Sequence, residues 1–177
     1  MYKKILVCGF NGKNNSSEIL LDKISTEKKI YLVNSFVTSV KQLINEISIN
    51  SYDYIILIGQ KPKVKKLYFE TQGKIKEDII ISQYNIKDIE THFKKFDHEV
   101  SISNNAGNYL CNNIYYHCLK YIKTEKLDTK AIFFHIPSIK NINNIEKLSI
   151  DFNEYLDRLK KPLLESNGFY FCIMTIF

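Results

Sequence analysis

Cys111, in the run Ser103-Asn-Asn-Ala-Gly-Asn-Tyr-Leu-Cys-Asn112, and His135, in Phe133-Phe-His-Ile-Pro137, are the residues whose types and setting suit a nucleophile and its general base. Leu110, Ile114, Cys118 and Tyr121 recur at helical spacing, which predicts a helix from Ala106 to about Ile122 with polar Ser103, Asn104 and Asn105 before it. Cys111 then falls in the first turn or two. Unpaired backbone N–H groups and the positive end of the helix dipole favour a thiolate there. The other cysteines, Cys8, Cys118 and Cys172, read as small apolar core side chains. The four show no CxxC spacing, so neither zinc nor a disulfide framework is indicated, and no metal or other cofactor is expected.

The elements that must hold this pair alternate along the chain. Apolar runs rich in Ile, Val, Tyr or Phe at Ile5 to Cys8, Ile30 to Val33, Tyr54 to Ile58, Ile79 to Ile81, Ala131 to Ile136 and Phe169 to Ile176 read as buried strands. Helical patterns lie between them at Ser16 to Ile24, Ser39 to Ile47, Ile86 to Phe96, Ala106 to Ile122 and Asn143 to Glu165. Such alternation predicts an α/β fold, a three-layer α/β/α sandwich with a mostly parallel mixed sheet. Ligands of such sheets gather beyond the carboxyl ends of the strands. Gly9-Phe10, Gly59-Gln60 and His135 all follow or close strands, so one edge is expected to gather them, with Cys111 if its helix starts on that side.

Length and composition narrow the rest. At 177 residues without a compositional break, residues 1–177 read as one domain. A hydrophobic share of 45% argues against disorder, and no apolar run is long enough to span a bilayer, so no membrane partner is expected. The apolar run before Gly9 is too short for a secretory signal, which points to the cytoplasm. The net charge of +6 comes largely from lysine. Lys61, Lys63, Lys65 and Lys66 cluster, but Tyr68 and Phe69 are too few to form a base-stacking platform, so no nucleic-acid partner is expected. If these lysines and Lys13 flank a site, they favour an acidic substrate; a solvated lysine-rich loop is the plainer reading. The terminal run Gly168 to Phe177 reads as a buried final strand or a self-association surface, which leaves a homo-oligomer open. His117 reads as structural or exposed, and His92 and His98 show no partner pattern.

The cysteine and histidine motifs, 24 residues apart from 111 to 135, resemble those of the pyroglutamyl peptidase I family of cytosolic cysteine peptidases, also called pyrrolidone-carboxylate peptidases. The resemblance implies Cys111 as nucleophile, His135 as base and, eleven residues beyond Gly59, Glu70 as the carboxylate that orients the imidazole. It further implies substrate contacts from Phe10, Gly59 and Gln60, the first matching the start of a Gly-Phe-x-Pro-Phe motif. The implied reaction is hydrolysis of the amide after an N-terminal pyroglutamyl residue of a peptide or small amide, through a thioester. The chain also departs from the family pattern. Lys13 stands at the second aromatic position, Ile80 at an arginine, and the stretch from Glu70 to Cys111 is shorter than usual. These departures leave two alternatives: a cysteine amidohydrolase or acyltransferase acting on another cyclic or acylated amine, and a catalytically silent protein of the same fold.

Overall fold

The computed structural model describes residues 2–161. Its elements follow in the order Ile5–Phe10 (β1), Ser16–Lys23 (α1), Lys28–Leu32 (β2), Thr38–Ile49 (α2), Tyr54–Lys61 (β3), Leu67–Glu70 (β4), Gln72–Ile75 (β5), Asp78–Ile81 (β6), Ile86–Lys95 (α3), Val100–Ser103 (β7), Leu110–Thr124 (α4), Lys130–Pro137 (β8) and Ile145–Lys160 (α5). Six strands form one sheet in the order β2-β1-β3-β8-β4-β7, and β5 with β6 makes a separate antiparallel hairpin. Every neighbouring pair in the main sheet is parallel except β4 against β8.

Burial on both faces explains the continuous apolar strands. Along β3 and β8 successive side chains alternate between two cores. Ile56, Ile58, Ile132, Phe134 and Ile136 pack with Leu20, Leu21, Ile89, Phe93, Phe152 and Tyr155 of α1, α3 and α5. Ile55, Leu57, Ala131 and Phe133 pack with Leu43 and Ile47 of α2 and with Ile114, Tyr115 and Cys118 of α4. The expected sandwich is therefore present, with a mostly parallel mixed sheet between two helical layers. Asparagines start three of the helices: Asn15, Asn85 and Asn144 each accept a first-turn N–H of α1, α3 and α5.

Three expectations need correction. First, α4 begins at Leu110, not Ala106. Gly107 sits at φ +83° with its N–H on the Asn105 side chain, which holds the preceding residues out of helical geometry. Second, Ile79 to Ile81 is a strand but not a buried one: it forms the hairpin's outer half, with Ile80 packed inward and Ile79 and Ile81 exposed. Third, β4, β5 and β7 are strands that the apolar pattern does not mark. The strand expected at 169–176, the last residues of the helix expected to run to Glu165, and Cys172 lie outside the described residues.

Among the described residues no helix is long and apolar enough to cross a membrane. Nor do three or more potential ligating side chains gather there as a metal site would require.

Candidate active site

The register of the sheet builds the site. Gly59 on β3 pairs with His135 on β8, and Tyr68 and Glu70 of β4 lie opposite His135 and Phe133 on the other side of β8. Side-chain alternation then points Gly59, Lys61, His135, Tyr68 and Glu70 toward the same layer, the one α4 covers. Because β4 runs antiparallel to β8, Glu70 enters one pleat deeper than His135 and is fully buried. From there its Oε1 meets His135 Nδ1 at 2.7 Å. An ionised carboxylate only accepts, so Nδ1 carries the proton and Nε2 keeps a free lone pair.

The thiol arrives from the helix. Cys111 is the second residue of α4, after Tyr109 at the cap position and Leu110. No side chain caps this helix, so its first-turn amides have no side-chain acceptor. The sulfur packs where Gly59 has no side chain. A Cβ at Gly59 would stand 2.7 Å from Cys111 Sγ and 2.7 Å from the Phe133 ring, so glycine is required here by close approach. Asn112 holds the same turn from its far side, accepting the Lys74 N–H at 2.9 Å and donating to the Lys74 carbonyl of β5. Beneath the hairpin, Gly73 lies against the Tyr116 backbone, leaving no room for a side chain.

Charge at the site differs from the expectation for Cys111. Burial pushes its thiol up to about 12, and the Glu70 charge adds to the rise; its own backbone amide and Lys61 pull the other way without prevailing. Desolvation thus outweighs the helix dipole, and the resting sulfur is a neutral thiol. Glu70 goes in the opposite direction. Burial alone would raise its pKa, but hydrogen bonding by His135 and by the Ser103 side chain, then the charge of His135 and, least, that of Lys61, hold it below the ordinary carboxylate value. Its second oxygen, Oε2, is buried and has no hydrogen-bond partner among the described residues.

The remaining residues singled out by sequence are placed as follows. Gly59 and His135 stand at the expected edge, with Glu70 beneath them. Phe10 ends β1 at the same edge but is only 3% exposed, packed in the apolar cluster that also contains Leu110. The Gln60 carboxamide oxygen accepts the Ser16 N–H at 2.9 Å, while Ser16 Oγ donates to Pro137 O at 2.7 Å. This clamp ties the ends of β3 and β8 to the start of α1. Lys13 is exposed, and Ile80, where the resemblance has an arginine, belongs to the core beside Phe133 and Tyr115. His92 and His98, for which the sequence shows no partner pattern, both have partners: His98 and Lys147 converge on Asp151 Oδ2 at 2.7 and 2.8 Å, and His92 meets the Asp151 carbonyl. They pin α3 and the start of β7 to α5. Lys61 is the residue near the thiol that sequence reasoning missed as an individual, because it reads as one lysine of a solvated cluster.

Comparison with known proteins is consistent with this geometry. Residues 77–159 match the family described as pyroglutamyl peptidase. A pyrrolidone-carboxylate peptidase 2 of Caldanaerobacter subterraneus subsp. tengcongensis is 50% identical over 52 residues, which cover 29% of this chain and 25% of that protein. A pyrrolidone-carboxylate peptidase of Thermosipho melanesiensis is 25% identical over 122 residues, 67% of this chain and 52% of that protein. The matched segments thus span a quarter to a half of these relatives. The crystal structure of pyrrolidone carboxyl peptidase from Fervidobacterium islandicum AW-1 superposes with a TM-score of 0.77 at 20% identity, covering 89% of this chain and 98% of that one. That last likeness is one of fold.

Proposed function

The chain belongs to the pyroglutamyl peptidase family, and on that premise we propose that it is a cysteine omega-peptidase, hydrolysing the amide bond after an N-terminal pyroglutamyl residue. The single observation that carries the catalytic assignment is the 2.7 Å contact of His135 Nδ1 with the buried Glu70, which leaves Nε2 as a base on the side of the sheet from which Cys111 enters. Cys111 Sγ attacks the lactam-bearing carbonyl carbon as its proton passes to His135 Nε2. The C–S bond forms, and the C–N bond breaks as His135 returns the proton to the leaving amine. Water, deprotonated by the same imidazole, then cleaves the thioester. Glu70 orients the ring and stabilises its cationic form, and the uncapped first-turn amides of α4 suit the role of oxyanion donors. The raised thiol pKa makes acceptance of the proton by His135 a required part of forming the nucleophile.

Gly59 acts in this reading by making room for the sulfur, while Gln60 serves as the clamp to Ser16 and Phe10 as core packing beside Leu110, so neither side chain is assigned a substrate contact. A reducing, cytoplasmic setting suits a thiol nucleophile accompanied by free Cys8 and Cys118. Of the basic cluster, Lys61 pairs with Glu70 and Lys66 with Glu99, which supports a reading without a nucleic-acid partner.

One observation favours a second reading, in which the same machinery acts on a different acyl group: exposed Lys13 replaces an aromatic in the family's substrate motif. Purified protein should release the chromophore from a pyroglutamyl amide, and Cys111→Ala should abolish that release. Labelling of Cys111 by iodoacetamide without any release would transfer the assignment to the second reading.

A further inference from the structure

Lys61 leaves the end of β3 two residues beyond Gly59, on the same face of the sheet as the thiol and the imidazole. Its Nζ lies 3.5 Å from Glu70 Oε1 and 4.5 Å from the centre of the Tyr68 ring, and its side chain keeps 31% exposure. Among the described residues, Lys61 and His135 are the ion-pair partners of Glu70. The other titratable groups facing the carboxylate are Cys111 and Tyr115 of α4, whose hydroxyl donates to the Glu70 carbonyl, and Tyr68 of β4; β7 brings the uncharged Ser103 opposite Glu70.

A count of charges shows what Lys61 does. With a neutral thiol and neutral imidazole, Glu70 and Lys61 cancel. When the proton moves from sulfur to imidazole, the thiolate and imidazolium also cancel, and the centre stays neutral throughout. Without Lys61, and with the imidazole neutral, the resting site would carry a buried carboxylate balanced by no charge and held ionised by hydrogen bonding from His135 and Ser103 alone. Such a carboxyl tends to protonate, and a protonated Glu70 no longer anchors the His135 Nδ1–H as an ion.

We propose that Lys61 is the resident counter-ion of the site, a positioning residue that keeps Glu70 charged against His135 and offsets the negative charge that develops on Cys111. The inference rests on the assignment of Cys111 and His135 as nucleophile and base, but not on the identity of the acyl group.

The test therefore reads the thiol itself. Rates of iodoacetamide alkylation are followed against pH, with peptide mapping to isolate Cys111 and Cys111→Ala as the control. Lys61→Met should slow alkylation near neutral pH roughly tenfold and move the profile to higher pH, the size expected for losing one opposite charge at this distance. Lys61→Arg, which keeps the charge, should restore both rate and profile. Lys61 is partly exposed, so the variants are expected to fold, which circular dichroism checks; Lys61→Gln replaces Lys61→Met if it does not. A profile that coincides with that of the unmodified protein in a folded charge-removing variant overturns the proposal. No peptide substrate enters the measurement, so absence of pyroglutamyl hydrolysis would leave this result standing on its own.

Discussion

Space decides more than charge does around the thiol. The sulfur of Cys111 occupies volume that a side chain at position 59 would take, and the Phe133 ring closes the same gap. Gly59→Ala should therefore cost about 1–3 kcal/mol of stability through overpacking and displace the sulfur from its seat against Gly59. Chemical denaturation together with the rate of Cys111 alkylation checks both effects; retention of both would show that the sulfur can sit elsewhere. In the sequence the cysteine and histidine stand out by their local motifs, and the glutamate only through the family resemblance, eleven residues beyond Gly59. It did not mark Lys61, because a lysine with a structural partner looks the same as a solvated one when its partner is nine residues away and in another strand. The thiolate expected for Cys111 failed for a related reason: position in a helix is legible from periodicity, whereas the desolvation that overrides it comes from side chains distant in sequence.

At the level of elements, the long apolar strands β1, β3 and β8 and all five helices are readable because each carries a periodic apolar stripe matched to two cores. The strands that escape notice are short and sit toward an edge. β4 is four residues long and ends in the buried Glu70, β7 is Val-Ser-Ile-Ser, and β5 brings the bare backbone of Gly73 and a partly buried Ile75 to the core. In β5 and β7 glycine and serine break the apolar pattern, while β4 keeps buried Leu67 and Phe69 but is too short, beside a lysine-rich run, to stand out. The hairpin formed by β5 and β6 hangs from α4 through Asn112, beside Cys111. Asn112→Ala leaves the Lys74 N–H and carbonyl without that partner and should destabilise the protein by about 1–3 kcal/mol. Amide hydrogen exchange should rise in residues 72 to 81 more than in β1 or β3. Equal protection of both regions would show that the Gly73 contact with Tyr116 is sufficient to seat the hairpin.

Across the whole molecule, two buried groups make acid the destabilising direction. His92 lies under α5, and desolvation lowers its pKa below 6.5; the Arg158 charge adds to the fall, while the hydrogen bond to the Asp151 carbonyl and the charges of Glu154 and Asp151 oppose it without prevailing. Glu70 is likewise held below 4.5. Both folded values are depressed, so the unfolded chain takes up protons first as pH falls. The His92 contribution is complete above its unfolded value and declines as pH drops through the folded one; the Glu70 contribution does the same in a lower window. Urea unfolding midpoints should fall in two stages as pH is lowered from about 8 to about 4 and below. Glu70→Gln should shrink the lower stage, to which Glu46 and Asp78 also contribute, and leave the upper one. A midpoint that rises toward acid would contradict both assignments.

The position of β8 also fixes when the site can exist. It lies between β3 and β4, yet it is made after both, so a growing chain holds two bare strand edges until residue 137 has emerged. Joining β3 to β8 closes a loop from Tyr54 to Lys130, a non-local pairing of the kind that slows folding. His135 arrives in that closing strand, and Glu70 finds its partner only after it docks. Partly made chains therefore lack the base, and chaperones or proteases would meet an inert thiol until the keystone strand is in place.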